Sequence, residues 1–186
     1  DRSKVDIQEI ALSYNFDLNN FNYVDSGSTA TFDDFSVGEK IDHIDGMTVE
    51  EAEHMLATKL YQNTAKVHFN HHYEKEGRFG KRIVYGGHVI SLARSLSFNG
   101  LANAFKIVGI NGGSHAAPCF AGNTVFAWSE IIDVLEINEN IGAIRIKTNG
   151  IGDAPASDFQ DKNEDGKFNQ NVLLSLDYWA LIPKKK

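Results

Sequence analysis

The sequence predicts an α+β fold in which a strongly curved antiparallel sheet wraps one central helix. Three observations carry this expectation: two apolar helical patterns in the first half, a long β-type run containing Phe126, Trp128, Ile132 and Val134, and a last β-type run that ends at Pro183.

Residues 1–31 mix Asp, Asn, Ser and Gly with scattered Tyr and Phe and keep no sustained period. They read as an N-terminal arm or linker ahead of a single domain over residues 32–186. After Val37-Gly38, a short extended piece is expected around Ile41 to Ile44, closed by a tight turn at Asp45-Gly46. Thr48, with Glu51 three residues on, has the form of a capping box. Val49, Ala52, Leu56 and Leu60 then give the helix behind it one apolar face. A second helix opens after Gly86-Gly87 and aligns Val89, Leu92, Ala93 and Leu96, with Ile90 widening the stripe, so it is expected to be largely buried. Strands follow over Lys106 to Asn111, Thr124 to Leu135, Ile141 to Thr148 and Val172 to Leu181, each rich in β-branched and aromatic residues and bounded by Gly or Asn. The polar insertion Gly152 to Gln170 contains Asp161-Lys162-Asn163-Glu164-Asp165-Gly166, which matches the start of a calcium-binding loop. Val172 then stands where that loop needs a bidentate Glu, so an acidic turn is the better reading.

The bulk composition narrows the function. With 186 residues, 42% hydrophobic, the chain suffices for one globular core. A single cysteine, Cys119, excludes an internal disulfide and a zinc site built on several thiolates. A net charge of −7 argues against general affinity for nucleic acid, which needs a surplus of Lys and Arg. No run approaches the ~18 apolar residues of a membrane span, and no basic-then-apolar leader opens the sequence, so a cytoplasmic protein without membrane attachment is expected. Lys184, Lys185 and Lys186 read as a solvated tail. An opening Asp1 in place of Met leaves room for a longer parent chain.

The chemistry concentrates between Tyr61 and Val89. Asn63 and His68 stand five residues apart just after a helix, and Ile83-Val84 runs into Gly86 and Gly87 at the start of the apolar helix. Residues without Cβ let a ligand approach the unpaired N–H groups of a helix start, where the dipole favours negative charge. That arrangement polarises a carbonyl and stabilises an enolate, and a histidine with an ordinary pKa near 6.5 can move the proton.

The run His68-Phe69-Asn70, a loop, then Gly80-Lys81-Arg82-Ile83-Val84-Tyr85-Gly86 before an apolar helix resembles the signature of MaoC-like dehydratases and (R)-specific enoyl-CoA hydratases. The stretches Tyr61 to Phe69, Gly77 to Asn103 and Ala117 to Trp128 are similar to the C-terminal half of two-part members of that group, and the resemblance extends over Phe32 to Pro183. It implies a hot-dog fold, two hot dogs paired as a homodimer or with a second half, and an acyl-CoA thioester in the groove between them. It implies a hydro-lyase acting on a branched or dicarboxylic enoyl-CoA such as mesaconyl-CoA, with His68 as the base and Gly86 and Gly87 as donors to the thioester oxygen. No cofactor beyond the coenzyme A of the substrate is implied. The family has Asp five residues before the histidine. Asn63 stands there instead, and an amide can hold a water or orient His68 but cannot accept a proton at neutral pH. The resembling enzymes also carry another half before this one, so that half is expected on another chain, or as a second copy of this one.

Other residues have plainer readings beside functional ones. Arg78, Lys81 and Arg82 form a basic cluster suited either to a solvated face or to the anions of coenzyme A and a dicarboxylic acyl group. Tyr85 and His88 flank the glycines and either line the pocket or pack beside it. His71 and His72 lack carboxylate or thiolate neighbours at a metal spacing, so no metal is expected. His115, between Gly113 and Pro118, is a weaker pocket candidate, and Cys119 reads as a small buried hydrophobe. Two rival functions remain open at this point: acyl-CoA thioesterase, which usually needs a carboxylate that the His68 segment lacks, and a non-catalytic acyl-binding module, which Asn63 keeps in play.

Overall fold

A computed structural model of the chain describes residues 5–12, 14 and 16–185. The strands are β1 (Lys40–Thr48), β2 (Lys106–His115), β3 (Thr124–Glu136), β4 (Ile141–Gly152) and β5 (Val172–Pro183). They form one antiparallel sheet in the order β1-β3-β4-β5-β2. The helices are α1 (Ile7–Leu12), α2 (Tyr23–Ser26), α3 (Glu51–Leu60), α4 (Lys66–Phe69), α5 (His71–Glu74), α6 (Gly86–Leu96) and α7 (Phe98–Leu101). None among the described residues is long and apolar enough to cross a membrane.

The sheet's two faces follow the period-2 alternation of its strands. Ile144 and Ile146 of β4 and Leu174, Leu176, Tyr178, Ala180 and Ile182 of β5 point to one side. There they pack with Val89, Ala93 and Leu96 of α6, the expected central helix. Burying each large apolar side chain stabilises the fold by roughly 1.5–3 kcal/mol. The odd-numbered residues Ile141, Ala143, Trp179 and Leu181 face outward and are covered by Ile7 with Tyr14, Phe16 and Leu18. The N-terminal segment is therefore laid along the sheet's outer face, tied by Val5 N–H to Asn111 Oδ1 at 3.1 Å and by Asn103 Nδ2 to the carbonyls of Ser28 and Ala30.

The first elements of the domain differ from expectation. Asp45-Gly46 does not close a strand: β1 continues to Thr48 through a bulge between Asp42 and Gly46, with Ile44 at φ +62°. The Thr48 hydroxyl is spent on Thr124 Oγ1 at 2.8 Å across the β1–β3 pair, so no capping box forms, and α3 begins only at Glu51. The buried face of α3 is His54, Ala57 and Thr58, whereas Leu56 and Leu60 are about two-thirds exposed (66% and 67%). The helix packs against α4 and α6, and the predicted Leu56 and Leu60 stripe is left to solvent. Lys184 is not a solvated tail residue: its amine meets Glu136 at 2.5 Å and its N–H donates to Asn140 O, while Lys185 N–H reaches Asp33 Oδ2 and Lys186 lies outside the described residues. In the acidic insertion, Asp161 pairs with Lys147 and Asn163 Oδ1 accepts from Lys167 N–H, which closes the segment as a turn.

Candidate active site

A cleft of about 680 Å³ opens at the N-terminus of α6, within the size range of small-molecule sites. Asn63, His68, Tyr85, Gly86 and Gly87 all line it, together with Phe79, Val89, Ile90 and the segment His115 to Cys119.

The backbone places His68 by two hydrogen bonds between α4 and the extended run ahead of α6. Ile83 N–H donates to Val67 O at 3.1 Å, and His68 Nδ1 donates to Ile83 O at 3.0 Å. Because a carbonyl oxygen only accepts, the neutral ring carries its proton on Nδ1, which leaves the Nε2 lone pair free. The Tyr85 ring meets His68 edge-on, with centroids 5.9 Å apart. Asn63 Oδ1 accepts from Ala65 N–H at 2.9 Å, an Asx turn that opens α4. With its oxygen so engaged, the amide's N–H groups remain as donors.

Tyr85 is the N-cap of α6, and Gly86 and Gly87 open the helix. The N–H groups of His88 and Val89 turn back to Tyr85 O, whereas those of Gly86 and Gly87 have no hydrogen-bond partner among the described residues. A side chain at either position would have to displace a neighbouring ring. A Cβ on Gly86 would lie 2.5 Å from His115 Nε2, and one on Gly87 would lie 2.6 Å from the Tyr85 ring.

The other proposed site residues lie outside this cleft. Arg82 pairs with Glu51, donates to Phe69 O at 3.3 Å and lines a separate small cavity with Lys81 and His71. Lys81 lies over the Phe120 ring at 4.2 Å, and Arg78 over Phe79 at 5.0 Å. His88 turns to Glu53 Oε1 at 3.1 Å, joining α6 to α3. His71 and His72 are exposed, and the described residues contain no cluster of His, Cys, Asp or Glu that could hold a metal. Cys119 is buried, and desolvation first, then Asp153, pushes its thiol up to about 11, so it stays protonated and unreactive at neutral pH.

Two further histidines lie near His68: His115, which the sequence offered as a weaker pocket candidate, and His54, which it did not single out. His54, wholly buried on α3, reaches Glu51 at 3.2 Å, and burial, then the charges of His88 and His68, hold it below the ordinary 6.5. His115, the last residue of β2, borders the cleft against Gly86, and burial, then His68, lowers it too. The only signal at His115 was its place between Gly113 and Pro118. The position of His54 depended on the register of α3, which the misplaced helix start obscured.

No family model matches the sequence. The chain is 53% identical over 183 residues to β-methylmalyl-CoA dehydratase of Chloroflexus aurantiacus, covering 97% of this chain and 52% of that protein. It is 56% identical over 162 residues to mesaconyl-CoA hydratase of Cereibacter sphaeroides, covering 86% and 46%. It thus spans about half the length of the curated relatives it matches. A solved MaoC-domain dehydratase from Chloroflexus aurantiacus superposes with a TM-score of 0.92 at 53% identity, covering 97% of this chain and 52% of that one. A double-hotdog protein of Mycobacterium tuberculosis gives 0.65 at 14% identity, covering 84% and 44%, and supports the fold alone. The chain therefore has the hot-dog fold and is homologous to about half of β-methylmalyl-CoA dehydratase, of mesaconyl-CoA hydratase and of the solved MaoC-domain dehydratase.

Proposed function

We propose that this chain is one hot-dog half of a hydro-lyase that adds water to, or removes it from, a double bond conjugated with a coenzyme A thioester. Mesaconyl-CoA and β-methylmalyl-CoA are the favoured pair. The observation that carries the reading is the convergence, in one apolar cleft, of an imidazole with a free Nε2 and two unpartnered helix-start N–H groups.

In hydration, the thioester oxygen accepts from Gly86 and Gly87 N–H, which withdraws electrons from the β-carbon. Asn63 donates to the attacking water and His68 Nε2 takes its proton, so a C–O bond forms at the β-carbon while the π electrons move to the enolate oxygen. The proton held by His68 then passes to the α-carbon as the enolate collapses to the thioester. Dehydration reverses each step. No electrons are transferred, so the reaction needs no redox group, and the glycine N–H groups do the work of a Lewis acid.

The relatives' doubled length supports pairing of this domain with a second hot-dog half or a second copy, closing the cleft around the substrate. A cytoplasmic location suits a substrate drawn from the acyl-CoA pool.

The test is incubation with mesaconyl-CoA and crotonyl-CoA while following enoyl absorbance and free thiol. Loss of absorbance without thiol is the expected result. Thiol release would identify a thioesterase, and no change in either signal would leave an acyl-binding module.

A further inference from the structure

We propose that His115 is the group that recognises a negatively charged acyl substituent, a carboxylate carried by the substrate, in the cleft it shares with His68. The proposal rests on the acyl-CoA reading of this cleft and adds the residue that sets its charge preference.

The first observation is what the cleft lacks. Among the described residues no Lys, Arg, Asp or Glu lines it. Of the basic side chains nearest in sequence, Arg82 pairs with Glu51, while Lys81 and Arg78 lie over the rings of Phe120 and Phe79 and are not among the lining residues. A second carboxylate on the acyl chain therefore has no Lys or Arg among the lining residues to pair with. The titratable groups that face the space are His68 from α4, Tyr85 ahead of α6, Cys119 from the following loop, and His115. The Cys119 thiol is neutral, and His68 is committed to proton transfer.

The second observation is the state of the His115 ring. Neither of its nitrogens has a hydrogen-bond partner among the described residues, although the ring lies so close to Gly86 that a Cβ there would meet Nε2 at 2.5 Å. The residue is exposed and the ring borders the cleft beside Gly86, so a carboxylate entering the cleft can displace solvent and accept from it. Gly86 thus has two uses, since the missing side chain frees the N–H for the thioester and makes room for His115.

Charge logic gives the consequence. Partial desolvation, then the charge of His68, holds His115 below the ordinary 6.5, so the ring is neutral at neutral pH unless an anion lies beside it. A carboxylate beside the ring supplies the opposite charge and raises its pKa, so binding a charged acyl group draws in a proton, while binding an uncharged one does not.

Two saturated thioesters that cannot be hydrated serve as probes: succinyl-CoA, with a terminal carboxylate, and butyryl-CoA, without one. Imidazole NMR titrations of the wild-type protein should show the His115 pKa rising by about one pH unit with succinyl-CoA and not with butyryl-CoA. His115→Ala should weaken succinyl-CoA binding by about tenfold and butyryl-CoA binding by less than about threefold. His115→Gln retains a donor without the titration, and should keep part of the preference while removing its pH dependence. If both thioesters bind and His115 responds equally to both, or to neither, His115 is not the selector and the acyl-CoA reading stands. If neither thioester binds, the acyl-CoA reading fails, and this proposal fails with it.

Discussion

The two ends of the central helix region hold histidines in opposite situations. Beyond the C-terminus of α6, His43 of β1 is wholly buried and both ring nitrogens are occupied: Nδ1 donates to Asn99 O at 2.6 Å, and Nε2 accepts from the Ser129 hydroxyl at 2.8 Å. The chain continues from Ser129 to Thr148 Oγ1 at 2.8 Å and on to the Tyr178 hydroxyl at 3.2 Å. Since Asn99 O only accepts, each hydroxyl donates toward His43, and the network is closed. At the N-terminus, His68 uses the same Nδ1-to-carbonyl anchor but keeps Nε2 free beside unpartnered N–H groups. The residue type and the tautomer are shared. What separates a structural histidine from a reactive one here is whether the second nitrogen is already satisfied.

That contrast can be broken most severely at His68. His68→Ala should lower hydration kcat by about a thousandfold, with the circular dichroism spectrum and melting temperature of the wild type. Gly86→Ala comes next. The new methyl displaces the His115 ring and crowds the N–H that faces the thioester, so kcat/KM should fall by about ten- to a hundredfold with little change in melting temperature. His43→Ala should do the reverse, costing about 2–4 kcal/mol in urea unfolding by leaving a cavity and unpaired partners at Asn99 and Ser129, while activity per folded molecule is kept.

The smallest effect is on pH dependence. Burial places His43 and His54 below the ordinary 6.5 in the folded chain. The unfolded chain therefore binds protons between about pH 6.5 and the lowered folded values that the native state refuses. Their contribution to stability is whole above pH 6.5 and is lost as pH falls through the folded-state values. Urea midpoints should be lower at pH 5.5 than at 7.5, and the difference should shrink in His43→Ala.

Much of this architecture was legible because its signals are local. The alternation of β3 to β5 and the stripe Val89, Ala93, Leu96 each depend only on neighbours in the chain, and the structure has the expected sheet and central helix. The meeting of Asn63, His68, Gly86 and Gly87 was likewise legible, because they lie within one short stretch. Long-range partners were not. Thr48 looked like a cap until Thr124 claimed its hydroxyl across the sheet, and α3 leaves Leu56 and Leu60 in solvent because it packs against α4 and α6. Nothing near His43 announces Asn99 or Ser129, and nothing near His115 announces Gly86, because those pairs form only when the sheet closes around the helix.

A long-range proton–nitrogen NMR spectrum of the imidazoles, recorded with and without butyryl-CoA, compares the two histidines directly. The account predicts that both carry their neutral proton on Nδ1 and that, when the thioester is added, Nε2 of His68 shifts while His43 stays still. A His68 ring protonated on Nε2 in its neutral form, or one indifferent to the thioester while His43 responds, would contradict it.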